Sequence, residues 1–108
     1  MKKEIIKPKT ANIPNELLFK ITLLHFTAAE LKTLFIIIGL TFGADQEQKE
    51  SVELSYNNLA DFLNCSRQQA INSVKSLELQ GMIKNFKTPE KRNNLWGINK
   101  EFFGLNNG

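Results

Sequence analysis

The chain has 108 residues, 42% of them hydrophobic and 23% charged, with a formal net charge of +3 and a pI of about 9.1. These are values of an ordinary soluble domain with one core, and the mildly basic balance admits a nucleic-acid partner without requiring one. A single cysteine, Cys65, excludes an internal disulfide and points to a reducing, cytoplasmic setting, while the longest apolar run, LFIIIGL, is far short of the roughly 20 residues of a membrane span.

Charge is unevenly placed. Residues 1–9 hold four lysines and one glutamate, and residues 81–108 hold five basic and two acidic side chains. The stretch between them has eight acidic and five basic residues. Basic charge is thus polarised to the two ends around an acidic middle.

Residues 1–12 are polar and lysine-rich, without periodicity, and read as a flexible basic arm carrying Lys2, Lys3, Lys7 and Lys9. No apolar stretch of the signal-peptide kind follows them, so no secretory signal is expected. In IPNELLFKITLL, Pro14 suits a first helical turn, and Leu17, Leu18, Ile21 and Leu24 recur at helical spacing. TAAELKTLFIIIGLTFG then opens with a capping box, Thr27 to Glu30. Leu31, Leu34, Phe35, Ile38 and Phe42 mark one face, and Ile36, Ile37 and Leu40 extend it. Such a helix is central to a core or lies between two chains. Gly43 is expected to end it.

ADQEQKESVE is an acidic loop. Asp45, Glu47, Glu50 and Glu53 match no calcium-loop spacing, so it reads as solvated and no metal is expected. VEL reads as a short strand. SYNNLADFLN has a cap in Ser55 and apolar residues at Leu59, Phe62 and Leu63. A turn at Cys65 follows, then a second capping box, Ser66 to Gln69, and a helix running to Gly81. MIKNF and NLWGIN read as strands of a hairpin around Pro89. Phe102, Phe103 and Leu105 in the tail, residues 100–108, pack back on the domain or pair two chains.

The predicted order is helix, helix, strand, helix, turn, helix, hairpin. This is a mainly α, α+β architecture of winged helix-turn-helix type over residues 13–99. On the last helix Ala70, Ile71, Val74 and Leu77 form the apolar side, leaving Ser66, Arg67, Gln68, Gln69, Asn72, Lys75 and Ser76 outside. Gln and Asn match the N6 and N7 edge of adenine, and Arg matches O6 and N7 of guanine. The hairpin adds Lys84, Lys87, Thr88, Lys91, Arg92, Asn93 and Asn94 against the single Glu90. Because phosphate contacts dominate affinity, this wing is expected to contribute more binding energy than the helix. The bland alternatives are a solvated helix face and a hairpin whose lysines only guard a sheet edge.

IPNELL, TAAELKTLFIIIGLTFG, LSYNNLADFLNCSRQQAINSVKSLELQGMI and LWGIN, spread over residues 11–99, resemble the N-terminal winged-helix domain of the phage replication protein O family. The resemblance implies binding of double-stranded DNA at an origin. In that family a further region recruits replication partners, and too little chain follows WGIN to supply one. The chain is expected to be either the DNA-binding part of such a protein or a stand-alone relative, and a stand-alone protein of this build is also similar to the small winged-helix accessory proteins of conjugative plasmids, which bind near the transfer origin and help assemble the relaxosome. The expected partners are double-stranded DNA, a second copy of the chain, and replication or conjugation proteins.

A transcriptional repressor and a protein-interaction module are the competing readings. An enzyme is not expected, since there is no Gly-rich phosphate loop and no Cys/His cluster, and His25 stands alone on an apolar stretch. No cofactor is expected.

Overall fold

The computed structural model describes residues 13–42, 50–90 and 92–105. Its elements are α1 (Asn15–Thr22), α2 (Ala28–Thr41), β1 (Val52–Glu53), α3 (Tyr56–Leu63), α4 (Arg67–Leu79), β2 (Ile83–Asn85) and β3 (Leu95–Ile98). The architecture is α+β, and the element order is the one the sequence predicts. Gly43, Asp45 and Glu47, singled out above, lie outside the described residues.

Local chemistry accounts for the helix ends. Both predicted capping boxes form. Thr27 Oγ1 accepts from the Glu30 N–H at 3.1 Å while the Thr27 N–H donates to Glu30 Oε1 at 3.0 Å. Ser66 and Gln69 repeat the exchange at the start of α4, with both bonds 3.1 Å long. Between α3 and α4 the chain turns at Asn64, in the left-handed region at φ 56°, which Asn tolerates better than most residues. After α4, Gly81 takes φ 85°, and the Met82 N–H returns to the Leu77 carbonyl at 3.0 Å, closing the helix as a glycine C′ residue does.

α2 is the centre of the core, packing on α3, α4, β1 and β3. Its buried side is Thr33, Leu34, Ile37, Ile38 and Thr41. This differs from the face expected from sequence, because Phe35 is 45% exposed. Two threonines take interior positions that periodicity would reserve for apolar residues. They can do so because the Thr33 hydroxyl donates to the Ala29 carbonyl and the Thr41 hydroxyl to the Ile37 carbonyl, each at 2.7 Å. Two further expectations are corrected for the same geometric reason. Leu18 on α1 and Phe62 on α3 sit off the stripes that reach the core, Leu17 with Ile21 and Leu59 with Ala60, and both are exposed.

The sheet is antiparallel with order β1-β3-β2. VEL thus pairs with NLWGIN, Val52 opposite Trp96, and β3 becomes the central strand. On its other side Asn85 also faces Trp96, and Ile83 faces Ile98. The indole of Trp96 is buried and fills the space beneath the helices. The tail packs back on the domain: Phe103 is buried, its ring 4.9 Å from that of Phe102 in an edge-to-face pair. Lys20 of α1 clasps it, donating from Nζ to the Phe102 carbonyl at 2.8 Å.

Candidate nucleic-acid interface

α4 is held against α2 with Ala70, Ser73, Val74 and Leu77 inward, while Ile71 is only half-buried. Its outward side chains at the N-terminal half are Arg67, Gln68, Gln69 and Asn72. They do not all remain free. Ser66 and Gln69 are occupied by the capping box. Gln68 Nε2 donates to Asn72 Oδ1 at 2.9 Å, one turn along, which aligns the two amides as a pair on the surface. Lys75 lies farther down the helix, beside Glu78 and Leu79. Ser76 faces inward enough to donate to Glu30 Oε2 at 2.5 Å.

The hairpin is braced from within. Asn85 Oδ1 accepts from the Lys87 and Leu95 N–H groups, both at 3.1 Å, and its Nδ2 donates to Asn94 Oδ1 at 3.0 Å. Asn93 Nδ2 donates to Glu53 on β1. Of the two side chains expected to reach base edges, Asn93 is thus tied to β1 through its amide nitrogen, and Asn94 to Asn85 through its amide oxygen. Thr88 is exposed.

Folding brings part of the predicted set into one groove of about 300 Å³, lined by Ser55, Tyr56, Asn57, Arg67, Lys87, Arg92, Asn93 and Asn94. Among the described residues three cations line it and no acidic side chain does. Arg67 lies over the Tyr56 ring, 5.6 Å from its centroid, which orients the guanidinium across the groove. Lys84 is excluded: it projects over the Phe86 ring at 5.3 Å and lines a separate recess with Glu50, Lys100 and Glu101. Lys2, Lys3, Lys7, Lys9 and Lys91 lie outside the described residues.

Ser55, Tyr56 and Asn57 are the groove residues that sequence reasoning missed. They form the start of α3, where Ser55 Oγ accepts from the Asn58 N–H at 3.0 Å. The first N–H groups of a helix lack intrahelical partners and carry the positive end of its dipole. α1 and α2 place an acid there, Glu16 and Glu30, whereas α3 and α4 have none in their first turns. The two helices that begin at the groove are thus the two whose positive ends are not neutralised. That absence is visible in sequence, but only the fold shows that the first turn of α3 and the first side chain of α4, Arg67, line one groove.

Such a surface suits a polyanion. It has convergent cations and polar side chains beside two helix starts that carry no acid in their first turns. Among the described residues, no group of His, Cys, Asp and Glu is placed to hold a metal ion, and no helix is long and apolar enough to cross a membrane. Compared with models of known protein families and with curated proteins, the chain matches none, so the family resemblance rests on its motifs.

Proposed function

We propose that this chain is a winged helix-turn-helix protein that binds double-stranded DNA at an origin of a mobile element, replicative or conjugative, and helps assemble the complex there without chemistry of its own. In this reading α3 and α4 form the helix-turn-helix and the β2–β3 hairpin is the wing. The observation that supports it most is the groove in which Arg67, Lys87 and Arg92 meet the unneutralised starts of α3 and α4. A phosphate backbone seated there positions α4, whose Gln68 and Asn72 then face the base edges. Duplex is favoured over single strands because Trp96 is 2% exposed and cannot stack on bases, and the exposed rings of Phe19, Phe35 and Phe62 do not line the groove.

The origin role comes from the family resemblance. A repressor would use the same contacts at a different site. The test is a footprint across the noncoding DNA of the element that encodes the protein, at near-physiological salt. Protected repeats beside an origin support the reading, and repeats confined to a promoter replace it with the repressor. No protection by the folded protein overturns DNA recognition and leaves the interaction module.

A further inference from the structure

Folding thins out the side chains of α4 that composition alone would assign to base reading. Ser66 and Gln69 are occupied with each other, each side chain accepting the other's backbone N–H. Arg67 has the chemistry to match guanine, yet its guanidinium lies over the Tyr56 ring, 5.6 Å from the centroid, and lines the groove. Lys75 stands farther along, beside Glu78 and Leu79. The polar side chains that remain exposed in the first half of α4 are Gln68 and Asn72. These two are bonded together, Gln68 Nε2 donating to Asn72 Oδ1 at 2.9 Å.

That bond makes the pair one group with a fixed pattern. It engages one amide nitrogen and one amide oxygen, and leaves Gln68 Oε1 as an acceptor and Asn72 Nδ2 as a donor. Exchanging oxygen and nitrogen in both amides reverses the order but leaves the same complement, one free oxygen and one free nitrogen. Of the four bases, adenine alone shows both a donor, N6–H, and an acceptor, N7, on its major-groove edge. Guanine shows two acceptors, O6 and N7, and one of them would face the amide oxygen. We propose that Gln68 and Asn72 act together as one reader of adenine, and that Arg67 contacts phosphate and reads no guanine. This rests on the duplex binding proposed above. Removing either amide leaves the other free to rotate, so neither keeps the preference alone.

The test is selection from a pool of duplexes with a random core, by the full chain as wild type, Gln68→Ala, Asn72→Ala and the double variant. Both side chains are exposed and alanine suits a helix, so the variants should melt no lower than wild type. The wild type is expected to enrich a motif with one strongly preferred adenine. Each single variant should relax that position as fully as the double variant does, and leave the rest of the motif standing. A second measurement changes the base instead of the protein. On the selected duplex, guanine in place of that adenine should weaken wild-type binding about tenfold or more. 7-Deazaadenine, which lacks the N7 acceptor, should weaken the wild type and not the double variant. A motif unchanged in all variants, a guanine at the position they relax, or single variants that relax different positions overturns the adenine reader and leaves DNA binding intact. A folded wild type that enriches no duplex overturns DNA recognition itself, and the reader with it.

Discussion

Ser76 on α4 donates a 2.5 Å hydrogen bond to the carboxylate of Glu30 on α2, 46 residues away. The other carboxylate oxygen accepts the Thr27 N–H, so one side chain both caps α2 and ties it to the helix that carries the candidate recognition residues. Gln80 Nε2 adds a bond to Ser76 Oγ at 3.1 Å. The contact adds a polar tie to the burial of Ala70, Ser73, Val74 and Leu77, which turns the other side of α4 outward.

The first prediction concerns pH. The Ser76 hydroxyl, then the Thr27 N–H, hold the Glu30 carboxyl below its ordinary value of 4.5. A carboxyl depressed in the folded state adds stability that is fully present above its unfolded pKa and lost as pH falls through the lower folded value. Ser76→Ala should therefore cost on the order of 1 kcal/mol at neutral pH, a modest figure because the carboxylate is partly solvated. The gap between wild type and variant should narrow below about pH 4. Thermal melts of both proteins at neutral and acid pH check this, and a gap independent of pH would refute it.

Gly97 gives the second prediction. An added Cβ would collide with the Glu50 carbonyl oxygen and come within 2.8 Å of the Phe86 ring. Backbone cannot retreat there without disturbing the pairing of β1 with β3. Gly97→Ala should destabilise by roughly 1–3 kcal/mol in urea unfolding. In the same experiment Gly39→Ala should stabilise slightly, because among the described residues that Cβ meets nothing within 4 Å.

The third separates cations by position. Arg67 and Arg92 share the groove, whereas Lys84 sits apart beside Glu50 and Glu101. Arg67→Gln with Arg92→Gln should weaken DNA binding at least about tenfold and lower the slope of log K against log salt by about 1 for each phosphate no longer neutralised. Lys84→Gln, with the same change of charge as either single substitution, should do much less. Fluorescence anisotropy with a labelled duplex over a salt series decides it; equal effects would mean that diffuse charge, and not the groove, binds DNA.

The fourth tests the hairpin without touching its charge. Asn85 makes three hydrogen bonds that pin the strand ends to the loop. Asn85→Ala should lower stability by about 1–2 kcal/mol and weaken DNA binding several-fold, because Lys87 and Arg92 are no longer held toward Arg67. Hydrogen exchange should show faster exchange at the Lys87 and Leu95 amides, and undiminished protection there would count against the bracing role.

Much of this protein is written in short-range signals. Thr27 with Glu30, Ser66 with Gln69, and Gly81 announce helix ends because their partners lie within a few residues, and the element order follows from them. The stretch from Ser66 to Lys75 and the basic hairpin are legible for the same reason, as local runs of composition. Tertiary structure alone decided which residues meet. Periodicity does not say that two back-bonded threonines are interior while Phe35 and Phe62 are not, since burial depends on what packs opposite. Nor does it say that β1 joins β3, that Asn93 bonds Glu53 and Asn94 bonds Asn85, or that Lys84 and Arg92 line separate recesses. Those outcomes hang on contacts between residues far apart in the chain, and the groove exists only once Ser55, Arg67 and Arg92 have been folded onto one surface.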